Sequence, residues 1–204
     1  MATPAKHRVI TLARVRRALA AYRPREEHAP EAERAAVALV LAPAGSDLAA
    51  LFIRRAVRDD DPWSGQVGLP GGRSQPADAD LAATAIREAR EEVAVDLAAP
   101  PPAVERLGVL DDIYPRTPVL PPIVVRPFVF ALAQRPRVSP SAEVQSAFWV
   151  RLATLLEPGA RQDVTLEVRG AMRSFPAYVL GQDVIWGMTE RILASFVIAV
   201  FPQR

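Results

Sequence analysis

Residues 69–93 read LPGGRSQPADADLAATAIREAREEV, and this stretch decides the fold. Leu81, Ala82, Ala85, Ile86, Ala89 and Val93 recur at helical spacing, which predicts an amphipathic helix over residues 80–93. Asp78 or Asp80 stands where an N-cap is wanted. The apolar face must pack on a core. Glu88, Glu91 and Glu92 stand at i, i+3 and i+4 on a neighbouring arc. Ahead of the helix, Gly71-Gly72 permits a tight turn and a close backbone approach to a ligand or metal.

Two readings of the three acids stand side by side. One is a solvated charged face, the ordinary fate of a charge run. The other is a cation site. Glu88 and Glu92 are like charges at i,i+4, which disfavours the helix by about 0.2–0.5 kcal/mol. All three acids also lie near the helix C-terminus, the wrong end of the macrodipole for anions. Arg87 can pair with Glu91 and offset part of this. A cation among the carboxylates offsets more, and hard cations such as Mg²⁺ join carboxylates to substrate phosphates. Spacing alone leaves both readings open; the preceding glycines favour the second.

Working outward, Val9 to Arg23 carries Val9, Leu12, Val15 and Leu19 at helical spacing, and Pro24 ends that helix. Arg25 to Arg34 is polar and reads as a linker. Ala35 to Leu41 is a continuous apolar run, expected to be a buried strand. Gly45-Ser46-Asp47 turns it back into Leu48 to Arg54. Asp59 to Gly72 reads as a loop. Later strands are expected at Leu107–Leu110, Ile123–Leu132 and Ala147–Val150, with Pro127 placing the second at an edge or a bulge. Ala133 to Pro140 reads as a loop, and Gly187 to Phe201 as a second strong helix. Strands on both sides of one central helix predict a mixed α/β sandwich.

The 204 residues suit one domain or slightly more and can bury a core without staples. With no cysteine, disulfides, thiolate metal sites and a cysteine nucleophile are excluded, and a cytoplasmic setting is the default expectation. A net charge of +2 implies no nucleic-acid footprint. Lys6 is the only lysine; arginine suits bidentate phosphate recognition, although a high-GC genome produces the same bias. No apolar run is long enough to span a bilayer, and Met1 to Arg23 does not read as a signal peptide. His7 and His28 stand outside any metal-ligand spacing, and Ser-His-Asp catalysis has no support.

The acidic stretch resembles the Nudix box, G-x5-E-x7-R-E-U-x-E-E-x-G-U, with U aliphatic. Gly72 matches the first glycine; Arg87, Glu88, Glu91, Glu92 and Val95 match the second half. The chain departs in four places: the first Glu appears as Asp78, one extra residue separates it from Arg87, Ala89 is a small aliphatic, and Ala94 replaces the last glycine. The resemblance implies an α/β fold, a Nudix-type α/β/α sandwich with a mixed sheet. Residues 1–34 would form an N-terminal helix and linker, and 35–204 the Nudix hydrolase domain. It further implies that Glu88, Glu91 and Glu92 bind Mg²⁺ or Mn²⁺, with the Gly71 carbonyl as a further ligand. Arg87 would orient a glutamate, and the metals would activate a water for attack on phosphorus. The implied catalytic set is Glu91, Glu92, Arg87 and Glu143. Glu143 stands where the family often supplies a further acid from a later loop; an ordinary exposed loop Glu is the equal alternative.

Three further segments are similar to the coenzyme A pyrophosphatase branch: Gly65 to Gly72, Leu51 to Ala56, and Asp183 to Thr189. Asp61 stands where that branch has Arg, and Leu69 where it has Phe. The implied reaction is hydrolysis of a pyrophosphate bond in coenzyme A or a related nucleoside diphosphate derivative. The rivals are ADP-ribose or another nucleoside diphosphate, and a Nudix-fold binding module without catalysis. The intact acid trio argues against the last. The expected partner is a small-molecule nucleotide or coenzyme A, with no nucleic acid and no membrane; a homodimer is left open. Arg55, Arg73 and Trp63 are the candidate substrate-binding residues. Arg54 and Arg58 also flank the box, and Tyr114 and Arg116 lie in a Pro-rich loop beside the expected pocket. Trp186 is expected in the core under the final helix.

Overall fold

A computed structural model describes residues 9–57, 64–115, 121–168 and 170–202. Its centre is a hairpin of β1 (Glu33–Ala44) and β2 (Asp47–Arg55), turned at Gly45 with φ +72°. The two strands pair only near the turn, from Leu41↔Ala50 to Ala44↔Asp47, and then diverge. The glycine-rich segment fills the wedge between them. Its first part, β3 (Val67–Gly68), pairs with β2, and its second, β4 (Gly71–Arg73), pairs antiparallel with β1. A stretch expected to be plain loop therefore satisfies the backbone groups that the splayed hairpin leaves open. Arg55 N donates to Gln66 O and Ala38 N to Pro70 O, at 3.0 and 2.8 Å.

On the far side of β1, β6 (Ile123–Leu132) runs parallel to it and β5 (Val104–Val109) antiparallel to β6; β7 (Val144–Arg151) closes the other flank against β2. The sheet is thus mixed, as expected. Pro127 was expected to mark an edge or a bulge; β6 is an interior strand, and the irregularity beside it lies on β5, between Arg106 and Gly108. Its ladder with β5 ends at Val109↔Phe128, so the missing N–H falls where β5 has already left, while Leu110 N donates to the Pro127 carbonyl.

Helices cover both faces, which explains why β1 and β2 read as continuous apolar runs rather than alternating ones. α2 (Leu81–Val93) buries Ala82, Ala85, Ala89 and Val93 on one face, among Ala36, Ala38, Val40, Leu51, Ile53 and Phe130. α1 (Leu12–Ala21) and α3 (Gly187–Val200) bury Val15, Leu19, Ile192, Leu193 and Phe196 on the other, among Leu39, Leu41, Phe52 and Val129. The result is an α/β/α sandwich. The stretch after α1 is tied down too: Asp111 accepts from Arg25 N and Tyr22 Oη, and Asp112 accepts from Glu27 N and Arg126 Nε. No helix among the described residues is long and apolar enough to cross a membrane.

A second, three-stranded sheet was not expected from the sequence. β8 (Arg161–Val168), β9 (Ala171–Leu180) and β10 (Asp183–Trp186) form an antiparallel meander, with a two-residue loop at 181–182 between the last two strands. Its last strand runs directly into α3. This meander and helix stand beside the wedge, where Arg54 of β2 forms an ion pair with Asp183 of β10.

Candidate active site

The site is built where α2 crosses the glycine strand. Asp80 caps the helix, accepting from Ala83 N at 2.7 Å. The buried face of α2 is made of alanines over the alanines of β1, and small side chains let helix and sheet come close. Gly72 then lies directly under Glu88: a Cβ there would meet the Glu88 carboxylate at 2.5–2.9 Å. A Cβ on Gly71 would collide with the Ala36 carbonyl and the Val37 backbone. The two glycines are thus required for different neighbours, one for a side chain and one for the sheet.

Arg87 organises the acids. Its Nε and Nη2 donate to Asp78 at 3.0 and 3.1 Å, and Nη2 also donates to the Arg73 carbonyl. Its Nη1 donates to both Glu88 Oε1 (2.8 Å) and Glu91 Oε2 (2.9 Å), so two box carboxylates share one nitrogen. Asp78 also accepts from Gln75 N and Thr84 Oγ1. The guanidinium beside it holds the Asp78 carboxyl well below the usual carboxylate range. Asp78 therefore performs the anchoring for Arg87, and capping falls to Asp80.

Glu92 points the other way, into the wedge. It is 4 % exposed and accepts from Gly71 N at 2.9 Å. Burial pushes its pKa up to about 7; the Gly71 N–H and Arg55 oppose the rise, while Glu88 and Glu143 add to it. Burial raises Glu88 as well, against the pull of Arg87. These acids are held close together with too little positive charge around them, the condition that favours a cation.

Glu88, Glu92 and Glu143 line one cavity of about 700 Å³, together with Arg55, Arg73, Gly71 and Gly72. Of the candidate residues, the structure brings those seven together. Glu91 is not on the lining: its side chain is 56 % exposed and rests on Arg87. Trp63 and Arg58 lie outside the described residues, as does Arg116. Arg54 is taken up by Asp183 and the Gly65 carbonyl. Arg73 pairs with Glu33 at 2.7 Å. Tyr114 packs near Ala29, Ala32 and Val124 rather than on the cavity.

The rest of the lining was missed. Trp186, Met188, Thr189 and Ile192 contribute to it, with Pro121, Ile123 and Val125. Trp186 was expected in the core under the last helix. It is instead half-buried on the cavity, its ring 5.0 Å from that of Phe175. The sequence signal was the meander itself: Val164, Leu166 and Val168 alternate with polar residues before Gly170.

The donor set suits a hard cation: carboxylate oxygens and a backbone carbonyl, with no cysteine thiolate in the chain. Among the described residues no three acids already converge on a single point. Mg²⁺ ordinarily keeps several waters and shares substrate phosphate oxygens, so it needs only one or two carboxylates in place.

The NUDIX domain family matches residues 32–167, from the start of β1 to the end of β8. NudL of Salmonella paratyphi B, described as an uncharacterized Nudix hydrolase, is 33 % identical over 138 residues, covering 67 % of this chain and 68 % of that protein. An uncharacterized protein of Schizosaccharomyces pombe is 34 % identical over 133 residues, 63 % of this chain and 40 % of that one, so this chain spans less than half its length. Among solved structures, the Nudix domain of Shewanella oneidensis NrtR, determined with ADP ribose, is 24 % identical with a TM-score of 0.48. That match covers 72 % of this chain and 87 % of that one. The chain belongs to the NUDIX domain family, and its class is that of the Nudix hydrolases.

Proposed function

We propose that this chain hydrolyses the pyrophosphate bond of coenzyme A or a closely related nucleoside diphosphate derivative, with Mg²⁺ or Mn²⁺ bound at the α2 carboxylates. The observation that carries the chemistry is Glu88 and Glu92, two acids whose pKa values burial raises, facing one cavity with Glu143. The segments similar to the coenzyme A branch support the substrate: Arg55 and most of Gln66 to Gly72 line that same cavity.

When bound, the metal supplies charge neutralisation of the diphosphate and a water of lowered pKa. Glu88, Glu91 and Glu92, with the Gly71 carbonyl, would hold it. Arg87 is a positioning residue, fixing the carboxylates through Nη1. Glu143, on the loop before β7 and on the cavity lining, would accept the water's proton as the water oxygen bonds to phosphorus. The P–O bond on the far side breaks, and its electron pair leaves with the departing phosphate. Arg55 and Arg73 contact the phosphate oxygens.

The test is a panel of coenzyme A, ADP-ribose, NADH and dinucleoside polyphosphates with Mg²⁺ or Mn²⁺. Coenzyme A should be the preferred substrate, and Glu92→Gln should abolish turnover with the fold intact. Preference for ADP-ribose overturns the branch assignment, and no turnover of any member favours a binding module.

A further inference from the structure

The cavity lining is chemically mixed. It carries the charged Glu88, Glu92, Glu143, Arg55 and Arg73. It also carries an uncharged stretch, Trp186, Met188, Thr189 and Ile192, together with the apolar Pro121, Ile123 and Val125. About 700 Å³ is the volume of a site for a drug-sized ligand, far more than a diphosphate group fills. An uncharged, mostly apolar wall pays the desolvation cost of an uncharged group and penalises a charged one.

The wall is also held in place. Trp186 lies against Phe175 at 5.0 Å between ring centroids. Arg54 ties β10 to β2 through Asp183. In the first turn of α3, Glu190 is 2 % exposed and accepts from Arg161 Nε of β8 at 2.7 Å. A Cβ on Gly68 would lie 3.8 Å from Thr189 Oγ1, so the start of α3 sits against β3 without a gap. The whole wall from Trp186 to Ile192 lies beyond residues 32–167, the part matched to the family, whereas the α2 carboxylates lie within it.

We propose that Trp186, Met188 and Ile192 determine specificity by seating an uncharged, largely apolar arm on the far side of the scissile diphosphate. This rests on the reading of the charged lining as a diphosphate site and adds which residues select the second half of the substrate. The arm lies along the Trp186 ring and between Met188 and Ile192, with Thr189 as the one polar contact on α3.

Dephospho-coenzyme A and ADP-ribose make a matched pair of probes, sharing an adenosine diphosphate end and differing in the arm, one an uncharged chain with gem-dimethyl and methylene surface between its amides and one a polar sugar. In Trp186→Ala the ratio of kcat/KM for dephospho-coenzyme A to that for ADP-ribose should fall about tenfold or more. Met188→Glu, which places a charge on the wall, should lower the same ratio and carries the test if Trp186→Ala does not fold. An unchanged ratio in the folded variants overturns the proposal. If the wild-type chain hydrolyses neither probe, the hydrolase reading fails by itself. The wall is then tested by pantetheine, which has no phosphate, through the Trp186 indole N–H resonance identified by its loss in Trp186→Phe. Movement of that signal with pantetheine, but not with ribose 5-phosphate, supports the proposal; no movement overturns it.

Discussion

Arg87 reaches back nine residues to grip both oxygens of Asp78, at 3.0 and 3.1 Å, while its third nitrogen holds Glu88 and Glu91. Asp78 is nearly buried and carries the anchoring charge. Asp78→Asn should destabilise the chain by about 2–3 kcal/mol, because it leaves a mostly buried guanidinium without its main partner. For a chain of this size that is roughly 5–10 °C in Tm by calorimetry. It should also lower kcat, since Glu88 and Glu91 lose the group that positions them. A variant as stable as wild type would show that Arg87 is held by Glu88 and Glu91 alone.

Glu92 should give the metal-free protein an unusual pH dependence. Its folded pKa is pushed up to about 7 from an ordinary value of 4.5. Between those values the folded state holds a proton that the unfolded state has released. The stability it confers is full below about pH 4.5 and is lost as pH rises through 7, by up to about 3 kcal/mol. Glu92→Gln, which can still accept from Gly71 N, should remove that slope in urea titrations while abolishing turnover. Mg²⁺ binding near pH 6 should release a proton, read by calorimetry in buffers of different ionisation enthalpy.

Gly71 and Gly72 should fail in different ways. A methyl on Gly71 meets backbone of β1, so Gly71→Ala should break the β1–β4 ladder and lower Tm sharply. A methyl on Gly72 meets only the end of the Glu88 side chain, so Gly72→Ala should keep the fold but displace that carboxylate. Metal affinity and kcat should fall at least about tenfold, as for other losses of ligand orientation. Equal loss of Tm in both variants would contradict this division.

Ala94 ends α2 in the left-handed region, at φ +57° and ψ +33°, with its N–H donating to the Ala89 and Arg90 carbonyls. The family pattern has glycine here. Ala94→Gly should relieve the strain of a Cβ in that region and raise stability by about 1 kcal/mol, or roughly 2–4 °C in Tm, by calorimetry. A drop in Tm would mean that the Ala94 methyl packs more than it strains.

The parts of the fold legible in the sequence are those with a strong local period. α2, α3 and the apolar runs of β1 and β2 are written in residue spacing, and the acids of the site ride on α2. The meander was overlooked although Val164, Leu166 and Val168 alternate with polar residues as in a one-sided strand; that short alternation is fainter than the continuous apolar runs of β1 and β2, and Pro176 interrupts β9. Trp186 was misplaced for the same reason, since without the meander there is no wall for it to join. The Arg54–Asp183 pair joins residues 129 apart in the chain, a relation that no local pattern carries. Pro127 is tolerated inside the sheet because the β5 ladder stops one residue short of it, at Val109↔Phe128.

The parallel ladder of β1 with β6 joins Glu33 to Ile123 and Leu41 to Ala131, spanning about ninety residues of chain. The glycine strand, α2 and all three box acids lie inside that loop. Closing so long a loop is slow in folding, because its entropy is spent before its contacts form. A chain still emerging from synthesis, with β6 not yet made, would already hold β1, β2, the glycine strand and α2, but β1 would lack its parallel neighbour.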